Sequence, residues 1–296
     1  MSILLETIAE KTLMSSYLYY LLICLSCTMI SCHQADNLSN ENEVLVSINL
    51  PTGTKKLLVD RTEVTNAQFE KFVKETNYRT TAEKDFTLQV MKQDLIVDSL
   101  IKAGSLVFKK TKEPVTLKDF SQWWEWKEGA YWAAPDGPGS DIHDKAEFPV
   151  VHISFEDVLA YARWAGKRIP TEKEWEMLAA GGENNVYAWG NENASKATAK
   201  ANFWQGIFPF QNSEVDGYAG AAPVKSFPPN AYGLYEMSGN VWEWVIASDG
   251  QPIVKGGSFL CNDSYCSGYR IDSRMPNDRQ SSLNHTGFRL VKDVKD

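Results

Sequence analysis

The stretch FPVVHISFEDVLAYARWAGKRIPTEKEWEMLAAGG, residues 148–182, contains two helix starts and two helix stops in close succession. Ser154 stands where an N-cap belongs, and Ile153 with Val158 is spaced as a hydrophobic staple. Gly166 occupies the position of a C-terminal helix glycine. Thr171 and Glu174 then form a capping box, and Gly181 ends that helix. Upstream, in EVTNAQFEKFV (63–73), Thr65 caps, Gln68 completes a box, and Val64 and Phe69 form a staple. Three short helices are therefore expected, each with its own stop.

Outside them the pattern changes. Beyond Gly182 the chain is rich in Gly, Asn, Pro and aromatics, and periodic runs are few. Short strands are expected at Pro252–Val254 and Gly287–Val291. Backbone that irregular must satisfy its polar groups somehow, and bound cations with carbonyl ligands are one way. From Val44 onward no linker, repeat or low-complexity tract occurs, so residues 44–296 read as a single domain.

Composition narrows the function. The chain has 296 residues, 23% charged and 43% hydrophobic, as in ordinary globular proteins. A net charge of -8, without a basic stripe, argues against a nucleic-acid partner. Ten tryptophans are unusual; the group from Trp123 to Trp132 is the best candidate for lining a cleft, the rest for core. Cys24, Cys27 and Cys32 lie in or beside an apolar run, and Cys261 and Cys266 lie near the other end, so this is no disulfide-dense small domain.

The apolar run YLYYLLICLSCTMIS (17–31) is short for a membrane span and suits a signal segment. It ends in MISC, which resembles a bacterial lipobox with Met29 in place of the usual Leu. Residues 1–32 are read as a signal peptide whose Cys32 would be lipidated, and 33–43 as a flexible tether. That implies an exported lipoprotein, held to a membrane by its lipid and facing the periplasm. Cleaved secretion and an uncleaved anchor are the alternatives.

Several segments, in order, resemble the sulfatase-modifying, formylglycine-generating enzyme family: VDRTEVTNAQFEKFV (59–73), the opening stretch, YAWGNE (187–192), ANFWQGIFPFQNSEVDGYAG (201–220), APVKSFPPNAYGLYEMSGNVWEW (222–244), VKGGSFLCNDSYCSGYR (254–270) and HTGFRLV (285–291). The resemblance implies one compact α+β domain with little regular secondary structure, related to C-type lectins. It also implies a copper-dependent enzyme that uses oxygen and a reductant. The enzyme would convert the cysteine of a Cys-x-Pro-x-Arg motif in an unfolded sulfatase-type polypeptide to Cα-formylglycine.

Residue by residue, Cys261 and Cys266 match the family pair that holds copper(I), a soft metal suited to thiolates. Their spacing alone favours a local disulfide or two inert thiols; the flanking match to the family reverses that. Ser258 and Tyr265 match neighbours lining that site. Asn202 and Asp216, with carbonyls of Phe203 and Tyr218, match one calcium site. Glu236 and Glu243, with carbonyls of Gly239 and Val241, match a second; such oxygen-only sets suit calcium. Asp136 and Asp141 lie in a segment resembling a wall of the peptide groove, where acids would suit the substrate arginine. Trp132 and His285 are further candidates for substrate contact, while His143 and His152 read as structural.

The chain departs from the family in a shortened opening, VLVSINLPTGTKKLLVD (44–60), and a short stretch between Trp244 and Gly256. Ile271 stands where some members carry a third cysteine. Relatives on this fold include non-catalytic proteins and non-haem iron enzymes. A non-catalytic envelope lipoprotein is therefore the alternative, while the absence of a histidine cluster with facial-triad spacing counts against iron.

Overall fold

The computed structural model describes residues 41–92, 95–197 and 199–295. The expected signal peptide and Cys32 lie outside the described residues, as does the part of the expected tether before residue 41.

The chain opens with a hairpin, β1 (Glu43–Leu50) and β2 (Gly53–Asp60), paired from Glu43↔Asp60 to Leu50↔Gly53. Alternation turns Val46, Ile48, Leu57 and Val59 inward. The shortened opening thus remains a sheet, completed by β13 (Val291–Asp293) on the outer side of β2.

All three expected helices are present: α1 (Asn66–Thr76), α2 (Phe155–Ala165) and α3 (Glu172–Ala180). The caps form as the spacing dictates. Thr65 Oγ1 accepts from Gln68 N, and Gln68 Oε1 accepts from Thr65 N at 2.9 Å. At α2 an additional box appears, because the Asp157 carboxylate accepts from Ser154 N at 2.9 Å. Gly166 and Gly181 take the left-handed φ values of 64° and 65° that end α2 and α3.

Two hairpins follow α1: β3 (Phe86–Lys92) with β4 (Leu95–Ile101), then β5 (Gly104–Phe108) with β6 (Trp124–Glu128). A small ribbon, β7 (Gly206–Ile207) and β8 (Gln211–Asn212), precedes a mixed sheet. That sheet has the order β11 (Met275–Pro276), β10 (Pro252–Lys255), β9 (Trp242–Ile246), β12 (Thr286–Gly287). The expected strand at 252–254 is present as β10. The single strand expected at 287–291 is not: β12 joins β9, β13 joins β2, and Phe288–Leu290 crosses between the sheets. Arg289 is why the chain crosses there. Its buried guanidinium donates to Glu243 Oε1 at 2.7 Å and to the carbonyls of Tyr235 and Arg61, bonds a regular strand would not place together.

Aromatic residues dominate the packing. Phe69 of α1 meets Tyr161 of α2, Phe288 and Trp132, and Phe72 meets Tyr161, with ring centroids 5.4–6.5 Å apart. A second cluster joins the first hairpin to Trp175 and Leu178 of α3; Ile271, at the position of the missing third cysteine, packs there as an aliphatic filler. A third gathers Trp123, Trp204, Phe208, Phe259 and Leu260 around the 258–266 segment. The result is one α+β domain with many short strands.

Candidate active site

The segment GGSFLCNDSYC turns tightly because two glycines precede Ser258. A Cβ on Gly257 (φ 75°) would lie 2.5 Å from Tyr269 N, a clash that forces glycine there. After the turn, Cys261 N donates to Ser258 O at 2.9 Å, and Cys266 N donates to Asn262 O at 2.7 Å. Those bonds fold the segment back on itself and bring the Cα atoms of Cys261 and Cys266 to 5.0 Å, with their sulfurs joined as a disulfide. Cys261 is buried and Cys266 half-buried. Gly268 leaves the space behind the pair: a Cβ there would stand 3.1 Å from Cys261 Sγ and 2.6 Å from Trp242.

Around this pair the walls are aromatic. Tyr265 stacks on Phe208 at 4.1 Å and meets Trp123 edge-on at 5.7 Å. Ser258 Oγ accepts from Leu260 N at 3.2 Å and lies 3.1 Å from His285 Nδ1. His285 packs against Trp124 with ring centroids 4.8 Å apart. Burial, with His152 adding to it, pushes the His285 pKa down to about 3, so the ring is neutral. Among the described residues its Nε2 has no partner, and neither do Trp123 Nε1 and Trp204 Nε1 in the neighbouring walls. Unsatisfied buried polar atoms cost free energy, so these three, near the joined sulfurs, leave hydrogen-bonding capacity unused there.

A pocket of about 340 Å³ opens beside this chamber, lined in part by Phe108, Trp132, Asp136, Phe259 and Asn284. It reaches the residues next to Ser258 and His285. Asp136 is exposed at its rim. Trp132 is chiefly a core residue, 6% exposed and packed edge-on against Phe69, with part of its surface on the pocket wall. Asp141 faces a separate cavity of about 310 Å³ with Asn66 and Glu70, and its carboxylate caps His143 N at 3.0 Å. The two acids therefore do not share one pocket. His143 is exposed. His152 is structural, bonding Ser105 Oγ at 2.7 Å and Pro135 O at 2.9 Å.

The residues expected to bind calcium divide into two arrangements. Asn202, Phe203, Asp216 and Tyr218 come together in one loop knot. Asp216 accepts from Phe203 N and Tyr218 N, each at 3.1 Å, and burial raises its pKa against those bonds. Asn202 Nδ2 donates to Gly220 O and Asn240 Oδ1. In the second set, the Glu236 carboxylate accepts from Lys225 N and Phe227 N, whereas Glu243 is held by Arg289 and by Trp175 Nε1 at 2.7 Å. Gly239 joins the two sets, since a Cβ there would lie 3.0 Å from Asn202 C. Val241 is fully buried beside them.

Sequence reasoning missed Glu63, which is fully buried next to this second set. Asn240 Nδ2 donates to its Oε1 at 3.1 Å, and its Oε2 has no partner. Burial first, then the Glu236 charge, raise its pKa well above the carboxylate range; burial also lifts Glu236 to about 7. Three buried carboxyls thus face one guanidinium, a surplus of acid that a cation would offset. Among the described residues, no group of three or more His, Cys, Asp or Glu side chains converges tightly enough to hold a metal by side chains alone. Any cation here would lean on backbone carbonyls.

The model of the sulfatase-modifying factor enzyme 1-like domain matches residues 40–294. The chain belongs to the formylglycine-generating enzyme family. A relative from Thermomonospora curvata named formylglycine-generating enzyme is 43% identical over 264 residues, covering 80% of this chain and 82% of the relative. One from Mycobacterium tuberculosis with the same name is 41% identical, covering 79% and 87%. A Bos taurus relative named inactive C-alpha-formylglycine-generating enzyme 2 is also 41% identical, covering 80% and 77%. Among solved structures, PvdO from Pseudomonas aeruginosa superposes with a TM-score of 0.50 at 19% identity, covering 85% of this chain and 92% of its own, a likeness of fold. Family members named active and inactive match about equally well, so identity alone does not separate them.

Proposed function

We propose that this chain is a formylglycine-generating oxidoreductase that acts on a cysteine of an unfolded, sulfatase-type polypeptide. The observation that carries this reading is the Cys261–Cys266 pair, one sulfur buried and one half-buried, set in an aromatic chamber with unpartnered polar atoms beside an open pocket. In the reaction a side-chain thiol becomes an aldehyde and the sulfur leaves as hydrogen sulfide. The substrate gives up two electrons, a reductant supplies two more, and oxygen accepts all four.

No acid or base can perform that oxidation alone, because a cysteine Cβ–H bond is not acidic. The reduced Cys261 and Cys266 thiolates fit copper(I), a soft cation that supplies one-electron chemistry with oxygen when bound. The chain's own groups do the remaining work. The aromatic walls of Trp123, Phe208 and Tyr265 exclude water. Ser258 and neutral His285 hold a polar hydrogen toward the chamber. Asp136 at the pocket rim offers a carboxylate to the arginine of a Cys-x-Pro-x-Arg motif. Asn202 and Asp216, with carbonyls of Phe203 and Tyr218, would hold one calcium. Glu236 and Glu243, with carbonyls of Gly239 and Val241, are the set for a second, favoured by the surplus of buried acid there. Export and membrane attachment through a lipid on Cys32, facing the periplasm, complete the proposal; Cys32→Ala should release the protein from the membrane fraction.

The joined sulfurs favour one alternative, a non-catalytic envelope protein in which the disulfide only pins the loop. Cys261→Ser and Cys266→Ser decide between the two. Reduced, copper-loaded wild type should bind about one copper per chain and shift the mass of a Cys-x-Pro-x-Arg peptide to its formylglycine form. Each serine variant should lose at least ~10³-fold in turnover while keeping its fold, because the two thiolates act as one unit. Wild-type turnover in both variants, or an unchanged peptide mass with wild type, favours the non-catalytic protein.

A further inference from the structure

A second recess lies outside the site described above. It is a cleft of about 680 Å³ whose apolar lining comes from Phe86 and Leu88 of β3, Leu106 of β5 and Trp126 of β6. Its floor is firm: Phe86 and Trp126 meet edge-on at 5.7 Å, and Trp126 Nε1 donates to Lys102 O at 3.3 Å. Its apolar side chains are nevertheless open to solvent, with Leu88 49% exposed. On a chain with so many charges, clustered exposed apolar side chains at a concave surface are a mark of binding.

Two features say what fits. The sheet of β3 and β4 has only two strands among the described residues, so β3 presents an edge without a ladder partner beside the cleft. An extended chain can pair with such an edge and place alternate side chains in the recess. The cleft also neighbours the candidate active site, since the same strands wall both. Along β5, Leu106 lines the cleft and Phe108, two residues on, lines the pocket. Along the 282–285 segment, Ser282 lines the cleft, Asn284 lines the pocket and His285 enters the chamber. Trp126 and Trp124 make the same step along β6. Each of these steps is two residues, about 7 Å of strand at roughly 3.3 Å per residue, so an extended polypeptide with its cysteine in the chamber would meet the cleft through a segment that flanks the cysteine closely in sequence.

We propose that this cleft is a secondary docking site for the substrate polypeptide, taking an extended segment with a large apolar side chain that flanks the reacting cysteine. This rests on the reading of the substrate as a polypeptide met before it folds, when its core side chains are still exposed. Binding there adds affinity without touching the reacting atoms. Long and short substrates would then differ in KM and not in kcat.

The test uses the full chain and fluorescence anisotropy, with peptides whose reacting cysteine is replaced by serine so that binding is read without turnover. A core Cys-x-Pro-x-Arg peptide is compared with versions extended by eight residues on either flank, with leucines or with serines and glycines. One leucine-bearing extension should tighten Kd about tenfold, as burial of one such side chain allows, and the polar extensions should not. Leu88→Asp should abolish the gain and leave the core peptide's Kd unchanged. Ile96→Asp, on the opposite face of the same hairpin and also exposed, should preserve the gain. Equal Kd values for core and leucine-bearing peptides overturn the proposal, as does loss of the gain in Ile96→Asp or equal weakening of all peptides in Leu88→Asp. Failure of the catalytic reading would show separately, as absent turnover of every cysteine peptide.

Discussion

The knot around Arg289 and the chamber around His285 lie four residues apart in sequence and differ in how completely they pair their polar groups. In the knot, Arg289 makes bonds to the Glu243 carboxylate and to the carbonyls of Asp60, Arg61 and Tyr235. In the chamber, His285 Nε2 and the N–H groups of Trp123 and Trp204 have no partner among the described residues. Both regions are buried, so the penalty for an unpaired group applies equally to each. Among the described residues the knot leaves one carboxylate oxygen, Glu63 Oε2, without a partner, while the chamber leaves three ring nitrogens so.

The largest effect should come from breaking the knot. Arg289→Met leaves buried carboxylates without their cation, a change that costs about 3–5 kcal/mol. The variant should fail to accumulate or melt far below wild type; a melting temperature within a degree or two of wild type would show that the knot is not where stability lies.

The candidate calcium sets, of which Asp216 belongs to the first, give the next effect. A cation that binds only the folded state adds ~2.7 kcal/mol at a hundredfold excess over its Kd. Chelation should lower the melting temperature and calcium restore it, with Asp216→Ala losing much of that response. Identical melting curves with chelator and with calcium remove calcium from the account.

Acid should tell the buried histidines apart from the rest. Burial holds His152 at about 4 and His285 at about 3, against about 6.5 in the unfolded chain. Below pH 6.5 the unfolded chain binds more protons than the folded one. Stability is therefore complete above that pH and falls as pH drops toward 4, by roughly 2 kcal/mol per histidine at pH 5. His152→Asn should flatten the fall, since asparagine tolerates the left-handed φ of 61° found there. A melting profile as steep as that of wild type between pH 7 and 5 would contradict this.

The smallest effect belongs to the chamber wall. Tyr265→Phe keeps the ring that stacks on Phe208, so turnover should fall less than about tenfold, whereas Tyr265→Ala should cost more because it opens the wall. Equal activities in the two variants would remove the ring from the mechanism.

Much of the fold was legible because helix caps are local. Thr65 with Gln68 and Thr171 with Glu174 act across three residues, and spacing alone reveals them. The Ser154–Asp157 box was missed because Asp is not the usual partner at that position. The strand expected at 287–291 was divided because Arg289 answers to Glu243, a residue 46 positions away. Glu63 gave no signal of its own: a glutamate beside a helix cap ordinarily faces water, and only packing shows that it does not. Asp136 and Asp141 read as one acidic wall, but the turn at His143 directs Asp141 elsewhere.

The sequence by itself determined the three helices with their caps, the family, and the adjacency of Cys261 and Cys266, because each depends on residues within a few positions or on an ordered set of motifs. Only the tertiary structure decided what surrounds those sulfurs, which polar atoms go unpaired, where the cleft beside β3 opens, and that three carboxyls share one guanidinium. Those features arise where segments far apart in the chain compete for the same buried space, and no local pattern records the outcome of that competition.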